Sequence, residues 1–469
     1  MQNNLHEYLQ DVANAIMEKK GDKEPLNAQN FADEIRNLPS GGGDVVEVEE
    51  KDVNFYDYDG TLLFSYTLAE IQALTELPTP KGHDGLVFDG WNWDYEDVIA
   101  LDYPMDIGAL YVTDDGCSRL YLNIETEHQK QMYLFLQPNS ANGLIIDWGD
   151  GVVETTSSTF AKMSHRYEDL GEYVIKITAS SDYSFSTNSL GDSIVYYAER
   201  LQALRKVELG ERVKNLYNNA FHNAVSLKSI SSPKGVNILN NNVFKNCSSL
   251  LGLVIPNGNP KIGNAVLTSC SSLRVCCIPN GVTSIDNNAL QYSAISSLCI
   301  PKGVTTLGSY SFPSCNNVRK VVIPQSVSFS TNSSFQACIS LRSVNMQGVT
   351  LGNHAFQDCT SLRVLELAEG FTTIGNSTFQ NCSLIQSIKF PKSISSIGAS
   401  AFAGLSRCML FDFTRCENIP VISGSNAFQS IPSQCKIVVP DALYEDWKAA
   451  TNWSTYASYI VKASEYVEQ

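Results

Sequence analysis

No run of eighteen apolar residues occurs anywhere in this 469-residue chain, so no segment is long enough to cross a bilayer as a helix. The opening MQNNLHEYLQDVANAIMEKK has neither the basic start nor the unbroken apolar stretch of a secretion signal. Positive charge is scarce. Lys and Arg number 33 against 49 Asp and Glu, giving a net −16, which argues against a nucleic-acid backbone as partner. The deficit is concentrated in residues 41–170, where 25 acidic and 6 basic side chains leave −19. Phosphate-binding G-x-x-x-x-G-K-[ST] and metalloprotease H-E-x-x-H motifs are missing, as is G-x-S-x-G on a strand-to-helix turn. The nearest zinc-like cluster, Cys270 with Cys276 and Cys277, lacks C-x-x-C spacing and a nearby histidine. No cofactor, metal, nucleic-acid partner or membrane insertion is therefore expected.

One stretch does spell chemistry. In VNFYDYDGTLLFSY, residues 53–66, the run Asp57-Tyr58-Asp59-Gly60-Thr61 matches the first signature of haloacid-dehalogenase-type phosphotransferases. Such an enzyme needs that Asp at the end of a buried parallel strand in a doubly wound α/β domain. Here apolar Val53 and Phe55 alternate with Asn54, which predicts a half-exposed antiparallel strand. Asp59-Gly60 is a dipeptide favoured in two-residue hairpin turns. The stretch is read as a turn, not a catalytic loop, and the chain as a non-enzyme. A calcium site on Asp57 and Asp59 would lack the other ligands of the EF-hand pattern.

What the chain has in abundance is a repeat. Phe221, Phe244, Leu267, Leu290, Phe312, Phe335, Phe356, Phe379, Phe402 and Phe428 follow one another at intervals of 21–26 residues. Three residues after six of them comes a cysteine: Cys247, Cys270, Cys315, Cys338, Cys359 and Cys382. Eleven or twelve residues after the anchor comes a proline at 233, 256, 279, 301, 324 and 391. A unit of this length buries its apolar side only against its neighbours, so it reads as one coil of a solenoid. In SLLGLVIP, Leu250, Leu253 and Ile255 alternate inward as on a strand, and the proline ends that strand. Cysteines in this phase form a ladder of small buried groups, not disulfides.

The same phase places Val254, Cys277, Cys299, Val322, Asn345, Glu366 and Lys389 on the outward face of successive strands. Small or apolar side chains dominate that face, which marks either a binding surface or one covered by another subunit or domain. The end of the chain predicts a last strand at 436–439, then a helix capped near Asp441 with Leu443, Tyr444 and Trp447 on one face. Trp447, Trp453 and Tyr456 are read as the core of an end cap.

Period and pattern resemble the BspA-like family of bacterial leucine-rich repeats over about residues 200–440. Further upstream, Asp147-Trp148-Gly149-Asp150-Gly151, His165-x-Tyr167 and Gly171-Glu172-Tyr173 resemble a PKD-type module. That resemblance implies an immunoglobulin-like β-sandwich with Trp148 in its core and His165 as a structural hydrogen-bonder. Val53, Phe55, Asp59-Gly60, Leu63, Pro78, Pro80, Phe88 and Gly90-Trp91 resemble the internalin-type B-repeat, although Leu86 stands where that family has an aromatic. Residues 1–38 predict two short helices, with Leu5, Leu9, Val12, Ala13 and Ile16 on one stripe and Phe31 and Ile35 on the other. Their wording resembles the start of tail-associated proteins from phages of gut bacteria.

The expected architecture is mainly β and modular. It comprises a helical anchor (1–40), a Gly-rich acidic linker (41–52), a β module (53–126), a PKD-like sandwich (127–198), about ten repeats (199–440) and a C-terminal cap (441–469). The expected function is a non-enzymatic phage virion protein of the tail or fibre, presenting the solenoid to a host-surface protein or glycan. Residues 1–40 would join it to other virion proteins, and a trimer would suit a fibre. Two alternatives stay open: a bacterial cell-surface or secreted adhesin, and an intracellular repeat scaffold.

Overall fold

The computed structural model describes residues 51–139, 143–156, 160–187, 200–327, 332–346 and 350–467. The two helices and linker expected over residues 1–50 lie outside the described residues. The chain is mostly β, with 8% helix and 32% strand.

The first sheet is built from β1 (Val53–Tyr56), β2 (Leu62–Tyr66), β3 (Leu86–Trp91) and β4 (Met105–Thr113), in the order β2-β1-β4-β3. β1 runs antiparallel to β2 and parallel to β4. Its alternating burial leaves Val53 and Phe55 fully inside. Phe55 meets Phe64, Tyr66 and Trp91 edge to face, the favoured geometry for aromatic quadrupoles. The Trp91 indole N–H donates to the Pro78 carbonyl (2.9 Å), which satisfies the polar end of a buried ring.

β5 (Ser118–Ile124) follows the Asp115-Gly116 turn but belongs to different sheets from β4. It pairs antiparallel with β10 (Gly171–Ala179). The change of sheet thus comes at Ser118. β6 (Gln131–Pro138), β9 (Ala161–Arg166) and β11 (Tyr183–Ser186) form the facing sheet, while β7 (Leu144–Asp147) and β8 (Val153–Thr155) extend the β5/β10 sheet. Leu120, Ile175 and Ile177 from one sheet and Met132, Leu134 and Leu136 from the other share a single core. Gly149 and Gly151 hold φ of +84° and +95° in the β7–β8 turn, a region open to glycine without penalty. His165 stacks on the buried Trp148 ring and bonds the Asp150 carboxylate (2.6 Å), while the Tyr167 hydroxyl donates to the Trp148 carbonyl (2.8 Å). Each aromatic of the motif is thus tied to the turn it packs against.

The solenoid grows directly from these sheets. β12 (Leu204–Glu208) pairs antiparallel with β5, and β14 (Ser229–Ser231) then adds parallel to β12. β13 (Val213–Leu216) joins β11 in the other sheet. From β15 (Gly252–Val254) onward the strands pair in three parallel runs: 252–254 with 275–277; 298–299 through 320–323 and 343–346 to 364–367; and 387–389 through 410–412 and 436–439 to 460–462. A second row of two-residue strands, such as Ser284–Ile285 and Thr306–Leu307, follows the prolines. About 11 turns result.

The repeat positions explain themselves. Phe312, Phe335, Phe356, Phe379 and Phe402 form one stack, with successive centroids 5.1–5.7 Å apart and rings nearly parallel. The six cysteines of the repeat position are free and buried. Each thiol donates to the carbonyl of the preceding coil's anchor residue, as in Cys338 to Phe312 (3.2 Å), Cys359 to Phe335 (3.2 Å) and Cys382 to Phe356 (3.2 Å). A side chain at this position must be small, mostly apolar and able to donate once, which describes cysteine. Burial pushes the Cys315 thiol up to about 12, which removes thiolate chemistry. Each coil also carries a pair of left-handed residues four apart, such as Asn219 with Asn223, Asn242 with Asn246, and Ser377 with Asn381. Asparagine tolerates that region better than other side-chain-bearing residues, which suits it to these positions, although serine, alanine and tyrosine also occupy them.

At the C-terminal end, strand 460–462 adds parallel to 436–439, and aromatic side chains pack below it. Trp447 and Trp453 are buried against Phe413 and Phe428, and the Trp453 indole donates to the Pro420 carbonyl (2.7 Å). Asp441 does not cap the helix Tyr444–Ala449. Its carboxylate accepts instead from the Ser464 backbone N–H (3.0 Å), so it fastens the end of the chain.

Candidate functional site

The outward strand positions fall into two groups, because the first sheet lies across the early coils. Val254 is 3% exposed and Cys277 fully buried, forming a small apolar cluster with Leu110 of β4. The half-buried Cys299 packs against the core of the first sheet. These three are not open for a ligand. Their small size matches what covers them: a Cβ on Gly108 of β4 would lie 2.4 Å from the Val254 methyls, and one on Gly252 would lie 2.5 Å from the Gly60 Cα. Glycine at each place is what allows the two backbones to meet.

Polar bonds fix the same contact. Asn92 is fully buried; its amide donates to the carbonyls of Ile255 (3.2 Å) and Cys277 (3.0 Å), and its oxygen accepts from the Gly108 N–H (2.8 Å). The Trp93 indole donates to the Ile278 carbonyl (2.9 Å). At the rim, the Asp89 carboxylate accepts from the Lys234 N–H (2.7 Å), and Lys302 pairs with Asp102. Glu208, on the outward face of the first coil, is also buried and binds Lys206, Arg119 and the Tyr121 hydroxyl. Asp106 of β4 is buried nearby, and desolvation holds its carboxyl above the usual range.

Past this cover the face is open. Val322 is half-buried, whereas Asn345 and Lys389 are exposed; the side chain of Glu366 lies outside the described residues. Val364 is 51% exposed on the strand between those of Asn345 and Lys389. Sequence reasoning found the phase of all these positions but not Gly252 as a contact point, nor Asn92, Trp93 and Gly108 opposite it.

Asp57 is buried and directly follows β1. The chain from Asp57 to Thr61 forms a five-residue loop between β1 and β2, not a two-residue turn. The loop closes through Asp57 N–H to Thr61 O (2.8 Å) and Gly60 N–H to Asp57 O (3.0 Å). The Asp57 carboxylate accepts from the Tyr58 N–H (2.8 Å) and meets His83 Nε2 (2.8 Å). The Asp59 carboxylate turns back to the Thr61 N–H (2.9 Å). The two carboxylates are thus each engaged in holding the loop, and Gly60, with φ of +88°, touches Gly252.

A model of the BspA type leucine rich repeat region matches residues 178–296, 240–350 and 347–445, more than half of the chain. The chain belongs to this family. Among solved structures, a leucine-rich repeat protein from Bacteroides ovatus is 17% identical over 69% of this chain and 99% of its own, with a TM-score of 0.38. A leucine rich cell surface protein from Faecalibacterium prausnitzii is 18% identical over 60% of this chain and 94% of its own, with a TM-score of 0.34. The pneumococcal vaccine antigen PcpA is 14% identical over 55% of this chain and 77% of its own, with a TM-score of 0.30. No curated protein matches.

Proposed function

We propose that this BspA-type repeat protein is a non-enzymatic recognition protein of the surface-adhesion kind, and that the open strand face from Val322 to Lys389 makes the contact. The observation that supports this is the division of one face into two uses. Its first coils are already a protein-docking surface, occupied by β4 and its neighbours through Asn92, Trp93 and Gly108. The later coils continue the same surface with an exposed Val364 and no cover among the described residues. Parallel strands about 4.8 Å apart repeat the contact at each coil, so many weak sites add, and several copies on one particle would add further.

The partner in this reading is a protein or glycan on a host surface. The chain itself would be carried either on a phage virion, joined through residues 1–40 to other virion proteins, or on a bacterial envelope. Val364→Arg and Asn345→Arg should abolish adhesion of the purified chain to host cells while leaving its thermal unfolding unchanged. Unchanged adhesion in both variants would remove the strand face from the reading. Antibody labelling of purified virions and of fractionated bacteria separates the two carriers.

A further inference from the structure

A different edge of the solenoid carries a row of basic residues. The position just before each inward strand is Arg274, Ser296, Arg319, Arg342 and Arg363 in successive coils. Backbone bonds join neighbours within two parts of the row: Ser296 N–H to Arg274 O (3.0 Å), then Arg342 N–H to Arg319 O (2.7 Å) and Arg363 N–H to Arg342 O (2.9 Å). The four arginines are exposed. Beyond residue 240, the ion pairs among described residues are made by Lys261, Lys302, Arg415 and Lys462, and none involves this row. Arg319, Arg342 and Arg363 follow one another at coil spacing, about 4.8 Å, and Arg274 stands two coils before Arg319; like charges so placed repel one another, so the row gains by anionic groups laid along it.

Where Ser296 replaces the arginine, the row opens into a furrow of about 490 Å³ lined by Arg274, Ala294, Ser296, Asn317, Arg319 and Ser340. A second hollow of about 210 Å³ shares Ala294 and Asn317 with it and adds Tyr292, Ser293 and Asn316. No carboxylate lines either one, in a chain whose net charge is −16. Tyr292 is 54% exposed and offers a ring face beside the hydroxyls and amides.

We propose that the furrow between Arg274 and Arg319 binds an acidic polysaccharide, with a carboxylate or sulfate on the two guanidinium groups. The proposal rests on the reading of the solenoid as the recognising part and names a ligand class for it. Guanidinium forks match carboxylate and sulfate oxygens. Ser296, Asn317 and Ser340 supply the neutral donors and acceptors that sugar hydroxyls need, and Tyr292 supplies a platform for a ring. The coil spacing is close to the length of one sugar residue, so Arg342 and Arg363 continue the track. An acidic peptide fits less well, since the strands beside the furrow are paired with neighbouring coils and offer no free edge to extend.

The test is binding of the full chain to immobilised polygalacturonate, hyaluronate and chondroitin sulfate, with dextran as neutral control and poly-L-glutamate as peptide control. Binding to at least one of the three acidic glycans, weakened by salt and absent on dextran, is expected. Arg274→Ser and Arg319→Ser should each lower that affinity about tenfold, the size of one lost charge-assisted bond, with unchanged thermal unfolding. Equal binding to poly-L-glutamate overturns the glycan assignment. Binding to none of the three, or binding unaffected by the double variant, overturns the site. Cell adhesion that survives the double variant but not Val364→Arg would retain the strand-face reading and remove only this one.

Discussion

Asn92→Ala is the sharpest test of how the first sheet is held on the solenoid. The side chain is fully buried and makes three hydrogen bonds, two of them to carbonyls more than 160 residues away in sequence. Truncation leaves the Gly108 N–H and the Ile255 carbonyl without this partner, whereas the Cys277 carbonyl keeps the Ile255 N–H at 3.1 Å. The two stranded buried groups cost about 1–3 kcal/mol each and the lost bond to the Cys277 carbonyl about 1 kcal/mol, so the loss is about 3–7 kcal/mol. A solenoid of many coils does not unfold in one step, so a single melting temperature is the wrong readout. Amide hydrogen exchange resolves the location. Opening free energies in β3 and β4 should fall by that amount, while amides near Ser396–Ile397 and Val421–Ile422 stay unchanged. Asn92→Asp should be at least as damaging, since its carboxylate would face two carbonyl oxygens. A change below about 0.5 kcal/mol in β3 and β4, or an equal loss in the distant coils, would refute the reasoning.

Gly60→Val should cost about 2–4 kcal/mol from a strained left-handed backbone and from the contact of a new Cβ with Gly252 at 3.1 Å, seen as raised exchange in β1 and β2. Asp57→Asn should cost less than about 1 kcal/mol, because its His83 partner is partly exposed, and phosphatase assays should read the same before and after. Phe356→Ala should cost about 3–5 kcal/mol, localised by exchange to the coils of Phe335 and Phe379. The raised Asp106 carboxyl favours its protonated form in the folded chain, so its contribution is present at acid pH and lost as pH rises through the folded value. Asp106→Asn should therefore stabilise β4 at neutral pH, with the gain over wild type vanishing as pH falls to the ordinary Asp value of about 3.9.

Local features of the fold were legible wherever one residue repeats in phase. The Phe and Cys columns declared the coil, its inward side and its strand, because each coil faces the same packing problem as its neighbour. Trp148, His165 and Tyr167 were legible for a related reason, since the turn they pack on is adjacent in sequence. The docking of the first sheet was not. Asn92 and Cys277 carry no shared pattern, and the visible trace was only that Gly252, Val254 and Cys277 are small where an open face would tolerate anything. The five-residue loop at Asp57 is not legible from Asp-Gly alone, because the backbone N–H and carbonyl of Asp57, two residues earlier, close it.

The thiol ladder has a consequence for where this chain can work. Thirteen unpaired cysteines would ordinarily tie a protein to reducing surroundings, since exposed thiols mispair or oxidise outside them. Here twelve are buried and the thirteenth, Cys299, is half-covered by the first sheet. The six sulfurs of the ladder donate to carbonyls of the coil before, so burial and bonding shield them from oxidants. The ladder therefore keeps its thiols whether the surroundings are reducing or oxidising, whereas Cys408 and Cys435, which lie against each other, are where an oxidant would act first.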